Sequence, residues 1–152
     1  MSTNKSPVIP NLPAGTKDVA GFEGQYAVTK DGRVWSYPRN RERKSPLGKD
    51  FKMFFPGRWL KPRLDREGYA WVWLRKKPMT LARKIHRFVA QAYIPNPFEL
   101  LEINHKNGIK TDNRVENLEW CTRKQNVAHA VANGFFDARE ARRKAKTVEI
   151  SK

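Results

Sequence analysis

The chain has 152 residues, with 31 Lys or Arg against 15 Asp or Glu, so its formal net charge is +16. This excess favours a polyanionic partner, usually nucleic acid, because neutralised phosphates release counterions. The single Cys excludes an internal disulfide and a Cys-rich zinc cluster. No apolar run reaches the roughly 18 residues of a membrane span. We therefore expect a cytoplasmic protein without membrane association.

The N-terminal part predicts a leader followed by a hairpin. Three Pro and little apolar periodicity make residues 1–15 a flexible leader. Two β-prone runs, at 26–29 and 33–36, then flank an Asp-Gly turn, which is a strong hairpin signal. Because an isolated hairpin is marginal in water, we expect Phe22, Trp35 and Tyr37 to pack against other elements.

A basic stretch follows, in which eleven Lys or Arg between positions 33 and 66 stand against three acids. Aromatic and Pro residues interleave with these cations, which predicts an extended loop laid along a nucleic-acid backbone. A solvated charged face is the alternative interpretation. The candidate DNA contacts are Arg33, Arg39, Arg41, Arg43, Lys44, Arg58, Lys61 and Arg63, with Arg83 and Arg87 further along the chain.

The middle of the chain predicts a second hairpin, about a turn at Gly68, and then a helix. Alternation along the strand after this turn places Val72 and Leu74 on a buried face. The Trp residues of the opposite face are either buried or offered to a partner. A helix is predicted over 81–93, and its apolar stripe would cover the sheet.

The richest stretch is INHKNGIKTDNRVENLEWCTRKQNVAHA, residues 103–130. A strand ending near His105 meets an Asn-Gly turn signal, so this imidazole is expected at the mouth of a long loop. There a group that titrates near neutrality can accept a proton from water. Asn117 could brace the loop and so orient the imidazole. Thr122 is a natural N-cap for a helix that ends at Gly134.

These residues carry a family resemblance. The resembling set is Asn104, His105, Gly108, Asn113, Asn117 to Trp120, and Asn126. Their pattern resembles the ββα-metal motif of HNH endonucleases of the phage and intron homing type. The preceding segment 84–97 is similar to the helix and Pro turn before that motif. Residues 21–37, GFEGQYAVTKDGRVWSY, resemble a nuclease-associated modular DNA-binding motif.

The resemblance implies that His105 is the general base, that Asn117 orients it, and that Asn126 holds one divalent metal ion. Where the family often has a metal-binding Asp before the base, this chain has Asn104 as the second ligand. Asp112 and His129 are alternative ligands. Mg²⁺ or Mn²⁺ is the implied metal, with Ni²⁺ or Zn²⁺ as alternatives if a His coordinates it.

We therefore predict an α+β fold: a leader over 1–15, a β-hairpin-rich DNA-binding module over 16–80, an HNH nuclease module of the His-Me finger type over 81–134, and a basic tail over 135–152. The implied function is hydrolysis of double-stranded DNA in a cytoplasm, including that of a phage-infected cell. We expect a monomer that nicks one strand, with a dimer as the alternative, and no small-molecule cofactor. The competing hypotheses are a non-catalytic DNA-binding protein with a degenerate site and an RNA-binding protein.

Overall fold

The computed structural model of the chain describes residues 12–46, 48–76 and 78–135, and the fold is α+β as predicted. In chain order the strands are β1 Lys17–Asp18, β2 Tyr26–Val28, β3 Val34–Ser36, β4 Arg39–Arg43, β5 Phe51–Phe55, β6 Arg58–Trp59, β7 Arg63–Leu64, β8 Ala70–Lys76, β9 Met79–Lys84, β10 Glu102–His105 and β11 Leu118–Cys121. The helices are α1 Ile85–Tyr93 and α2 Arg123–Ala132, and a 3-10 turn covers Val115–Asn117. Most of the predicted leader and tail lies outside the described residues. No helix within the described ranges is long and apolar enough to cross a membrane.

The predicted first hairpin is confirmed and forms the centre of a sheet ordered β1-β2-β3-β6. Its turn contains Gly32 at φ +84°, a left-handed conformation that favours Gly. Of the three expected anchors, Phe22 and Trp35 are buried and Tyr37 is half-buried. Their packing adds to the hydrogen bonds that pair β2 with β3.

The basic stretch is a two-stranded ribbon, so the prediction of an extended loop was wrong. Strands β4 and β5 pair over five residues, from Arg39 opposite Phe55 to Arg43 opposite Phe51. The Pro residues that suggested a loop lie at the limits of the ribbon: Pro38 directly precedes β4 and Pro56 directly follows β5. In those positions a missing backbone donor does not interrupt the ladder.

The third sheet, ordered β7-β8-β9, also corrects one boundary. Val72 and Leu74 of β8 are buried, as their alternation predicted. The helix predicted over 81–93 begins only at Ile85, because residues 79–84 form β9 and pair with β8 throughout its length. A short apolar run fits the periodicity of a helix and that of a strand. Residues 79–84 form a strand because they supply hydrogen-bond partners for the backbone groups of β8.

One hydrophobic core joins the N-terminal and C-terminal halves. Helix α1 buries Phe88 and Val89 in a cluster that also holds Val34 of the first sheet, Leu74 of the third sheet and Leu118 of β11. The two halves of the sequence therefore fold around shared apolar contacts. A substitution in either half is expected to affect the stability of both.

The last elements are a hairpin and a helix, as predicted. β10 and β11 are antiparallel neighbours, and the loop 106–117 joins them. Helix α2 begins after Thr122, whose side chain and that of Gln125 form a reciprocal capping box. Gly134 follows the helix at φ +66°. This ββα unit presents the polar residues of the predicted site.

The first hairpin touches the long loop of the ββα unit directly. The Val115 amide donates to the Lys30 carbonyl at 2.9 Å. A Cβ added to Gly32 would lie 2.7 Å from Cβ of Asn113 and 3.1 Å from its carbonyl oxygen. The turn of the hairpin therefore fixes the position of the loop residue against which it packs.

We predict that Gly32→Ala destabilises the protein more than Gly21→Ala. Both glycines have similar positive φ, +84° and +80°, so each substitution costs about 1 kcal/mol of backbone strain. A Cβ at position 21 meets no described atom within 4 Å, whereas one at position 32 overlaps Asn113, which adds about 1–3 kcal/mol. Chemical denaturation measures the difference. Equal losses for the two variants would contradict the contact.

Candidate functional site

Strand pleating sorts the polar residues of β10 onto two faces. The register pairs Asn104 with Glu119 and His105 with Leu118. Since successive strand residues point to opposite sides, Glu102 and Asn104 share one face with Glu119, while His105 lies on the other. The predicted base and the predicted ligand beside it are thus neighbours in sequence but lie on opposite faces of the β10–β11 hairpin.

The His105 imidazole lies in a pocket of rings and one amide. It is 5% exposed, and its ring centroid is 5.1 Å from that of His86 and 5.8 Å from that of Tyr69. Its Nε2 is 3.5 Å from Oδ1 of Asn113, a long contact. The Asn113 Nδ2 donates to the Thr111 carbonyl at 3.1 Å, which turns Oδ1 toward the ring. This arrangement favours a proton on Nε2 and a lone pair on Nδ1.

Burial lowers the pKa of His105 below its ordinary value, and the contact with Asn113 and the charge of Asp112 oppose this effect. A nearby Lys110 lowers the pKa further. A neutral imidazole is the form that accepts a proton, so a lowered pKa keeps the ring competent as a base at neutral pH.

Asn117 spans the loop between the two strands. Its Oδ1 accepts from the Asn107 amide at 3.0 Å, and its Nδ2 donates to the Asp112 carbonyl at 2.8 Å. The side chain therefore holds the loop, while the hydrogen-bonding contact of the imidazole is with Asn113. The sequence placed Asn113 in the family pattern without a role, because its contact with His105 arises only from the fold of the loop.

Sequence reasoning also missed His86 as part of this pocket. His86 is 4% exposed on α1, between the rings of Tyr69 and His105. Its Nδ1 has no hydrogen-bond partner among the described residues. Burial, followed by the charge that His105 would carry, lowers the pKa of His86 to about 3. A neutral ring at this place lets His105 pack closely without charge repulsion.

The two predicted ligand amides are each tied to a carboxylate. The Asn104 Nδ2 donates to Oε1 of Glu119 at 2.8 Å, and the Asn126 Nδ2 donates to Oε2 of Glu102 at 2.8 Å. Each Oδ1 is therefore the amide atom turned away from its carboxylate. Oxygen donors beside negative charge suit Mg²⁺ or Mn²⁺. Burial and the charges of Glu102 and Glu119 together raise the pKa of Cys121 to about 11, so both carboxylates act on one face of the hairpin.

The two alternative ligands have other contacts. Nε and Nη2 of Arg114 donate to the two Asp112 oxygens at 2.8 Å each, and this pairing holds the pKa of Asp112 far below its usual range. The ring of His129 lies 5.7 Å from that of Phe135. In the described parts of the chain, no group of three or more His, Cys, Asp or Glu side chains could hold a metal. The donor chemistry therefore favours Asn104 and Asn126.

The predicted DNA-contacting cations of the N-terminal half lie on two surfaces. On the ribbon, the guanidinium of Arg39 packs on Tyr26 and that of Arg41 on Phe55, while Arg43 and Lys44 are exposed. The second surface is a cleft of about 260 Å³. The cleft is lined by Arg58, Lys61 and Arg63 together with Trp59, Trp71 and Trp73. The guanidinium of Arg33 packs on Trp59, with its Cζ atom 4.6 Å from the ring centroid, and it forms a salt bridge with Asp31.

The remaining two cations lie near the start of α1. Arg83 is half-buried, and burial together with the charge of Arg87 lowers its pKa. Arg87 donates to the Leu101 carbonyl at 3.3 Å. Trp73, on the face of β8 for which the sequence left two interpretations open, is 48% exposed beside a half-buried Trp71. Arg83 is the cross-strand partner of Val72, so it lies on the face of the sheet opposite to these two indole rings.

Two family models match the chain. The model described as HNH endonuclease matches residues 83–128, and the NUMOD4 motif matches residues 17–75. The chain carries an HNH endonuclease domain behind a NUMOD4 motif. The HNH match contains β10, β11 and most of α2, and it includes His105, Asn117 and Asn126.

The chain is homologous to a phage homing endonuclease. It is 32% identical over 130 residues to the DNA endonuclease I-HmuI of Bacillus phage SP01, covering 86% of this chain and 65% of that protein. An uncharacterized HNH endonuclease of Acanthamoeba polyphaga mimivirus is 37% identical over 106 residues, covering 70% of this chain and 27% of that protein. The chain thus spans less than two thirds of each of these relatives.

A solved structure supports the same relationship at the level of the fold. The structure described as DNA binding and cleavage by the HNH homing endonuclease I-HmuI matches with a TM-score of 0.61 and 30% sequence identity. The match covers 86% of this chain and 66% of that chain. It therefore extends over both the NUMOD4 and the HNH parts.

We predict that stability falls with acid in a way that depends on His86. The unfolded chain binds a proton on this ring near pH 6.5 and the folded chain only near pH 3, so the unfolding free energy decreases as pH falls through that window. Each pH unit within it costs up to about 1.4 kcal/mol. Denaturation of His86→Phe between pH 7.5 and 4 should give a shallower dependence than the wild type. Identical slopes would contradict a buried neutral His86.

Proposed function

We propose that the chain is a metal-dependent DNA endonuclease of the HNH homing type, with His105 as the general base. The observation that carries this proposal is the end of β10, where a buried imidazole with a free nitrogen directly follows an amide ligand candidate. The homology to I-HmuI over most of this chain supports it. The whole activity is proposed rather than transferred, because I-HmuI extends beyond the matched part.

The opposite faces of His105 and Asn104 suit an in-line displacement. In such a reaction the attacking water and the leaving oxygen lie on opposite sides of the phosphorus. A phosphate at the end of β10 can meet the imidazole on one side and the amide face on the other. Adjacent residues of one strand thus serve the two ends of the reaction.

The protein's own residues perform the proton transfer and the positioning. Nδ1 of His105 accepts a proton from water as the water oxygen attacks phosphorus, and Asn113 holds the opposite ring nitrogen. The bond from phosphorus to the 3′-oxygen breaks and this oxygen takes a proton from solvent water, which leaves 5′-phosphate and 3′-hydroxyl ends. Asn104 and Asn126 would hold one divalent cation, which when bound stabilises negative charge on the phosphate and the leaving oxygen.

The ribbon and the Trp-lined cleft are proposed to bind the duplex. A two-stranded ribbon has the width to enter a major groove, and Arg39, Arg41 and Arg43 share one face of β4. The cleft adds cations beside indole rings. One site per chain cuts one strand, so a monomer is expected to nick.

A non-catalytic DNA-binding protein is the second candidate, and one observation favours it. Both ligand candidates are neutral amides, whereas Mg²⁺ usually takes one or two carboxylates from a protein. Binding without hydrolysis would leave a supercoiled plasmid supercoiled. The same assay therefore separates the two candidates.

We predict that the protein converts supercoiled plasmid to the nicked form with Mg²⁺ or Mn²⁺. His105→Ala should reduce the rate by about 10²- to 10⁴-fold, because it removes the base, while DNA affinity is retained. Asn126→Ala should also lose nicking, whereas Asn133→Ala directly after the same helix should not. Nicking rates are measured on gels and affinity by fluorescence anisotropy. Undiminished nicking by His105→Ala would refute the assignment.

A further inference from the structure

Both ligand candidates of the proposed metal site are oriented by the same device. We propose that Glu119 and Glu102 are positioning residues: each accepts the amide N–H of one candidate ligand and supplies the negative charge that the amide lacks. This inference rests on the proposed function, since it concerns the same cation. It identifies two carboxylates as part of a site that the sequence presented as neutral.

The Asn104 pair is fixed by the strand register. Asn104 and Glu119 are direct cross-strand partners, so their side chains leave the β10–β11 hairpin on the same face at a short separation. The 2.8 Å bond from Nδ2 to Oε1 is charge-assisted, and Asn104 is buried. The two polar atoms of an amide share one carbon, so a bond that fixes Nδ2 also fixes the direction of Oδ1.

The Asn126 pair connects the helix to the hairpin. Glu102 of β10 accepts from Asn126 of α2 at 2.8 Å, and its other oxygen accepts from Arg123 at 3.3 Å. Glu102 therefore contacts α2 at two positions one helical turn apart. This sets the rotation of the helix relative to the strand, and with it the place of the Asn126 amide.

Charge is the second contribution of the glutamates. Two amide oxygens alone bind a divalent cation weakly, because hard cations prefer carboxylates. Groups that hydrogen-bond to ligands change metal affinity by about 10- to 100-fold. Glu119 and Glu102 are placed to do this from behind the amides. One carboxylate oxygen of each glutamate accepts the hydrogen bond from Nδ2, and the negative charge of the carboxylate stays close to Oδ1 of the same amide.

The test measures Mn²⁺ binding to the free full-length protein by electron paramagnetic resonance, without DNA and without turnover. Glu119→Gln keeps an oxygen acceptor but loses the charge, and we expect its Mn²⁺ dissociation constant to rise about 10-fold. Glu119→Ala loses both and should weaken binding more. Glu116→Gln removes the same charge from an exposed residue of the joining loop and should bind as the wild type does.

A reversal of the pair distinguishes positioning from a general loss of structure. Asn104→Asp supplies a carboxylate ligand, but no donor between it and Glu119 fixes its direction, so this single variant should bind Mn²⁺ less tightly than the double variant that also carries Glu119→Gln. Combining Asn104→Asp with Glu119→Gln restores one donor and one carboxylate in the opposite order. We expect the double variant to bind Mn²⁺ at least as tightly as the wild type, which is a non-additive effect of neighbouring groups.

The outcomes separate this inference from the proposed function. Wild-type Mn²⁺ affinity in both Glu119 variants, with weakened binding in Asn126→Ala, would overturn the inference and leave the metal site standing. Unchanged Mn²⁺ affinity in Asn104→Ala and Asn126→Ala would overturn both. Circular dichroism of each variant establishes whether it is folded. If Glu119→Ala is not folded, Glu102→Gln provides an independent second variant.

Discussion

The antiparallel pairing of β10 with β11 is the constraint on which the candidate site depends. Its register opposes Asn104 to Glu119 and His105 to Leu118, so the pleat assigns amides and carboxylates to one face and the imidazole to the other. A slip of one residue would exchange these faces. The loop 106–117 has to close between the two strands without disturbing that register, which explains its internal hydrogen bonds.

The NUMOD4 part contributes to the same site through contacts rather than through reactive groups. The Lys30 carbonyl accepts from Val115, and the Gly32 backbone packs on Asn113, whose side chain contacts the His105 ring. Both halves also share one core through α1. A hairpin that is expected to bind DNA is therefore mechanically connected to the loop that holds the imidazole.

Local signals in the sequence were enough for several elements. The Asp-Gly turn before Arg33, the Asn-Gly turn after Lys106 and the Thr122 N-cap each depend on a few neighbouring residues, and each element formed where predicted. The β9 strand and the β4–β5 ribbon were missed although their partners are near in the chain, because the apolar run from residue 81 also fits a helix and the Pro-rich, charged stretch also fits a loop. The pairs Asn104 with Glu119 and Asn126 with Glu102 were missed because their partners are distant in sequence. They join residues 15 and 24 positions apart, and no local spacing connects them.

The central claim is that one cation lies on the amide face of the hairpin, held by Oδ1 of Asn104 and Oδ1 of Asn126. The most direct measurement is anomalous diffraction from a crystal of the protein with a short duplex and Mn²⁺ in place of Mg²⁺. The account predicts one Mn²⁺ peak about 2.1 Å from both amide oxygens, with Glu119 and Glu102 still bonded to the amide nitrogens. A peak on Asp112 or His129, with the two amides uncoordinated, would contradict it.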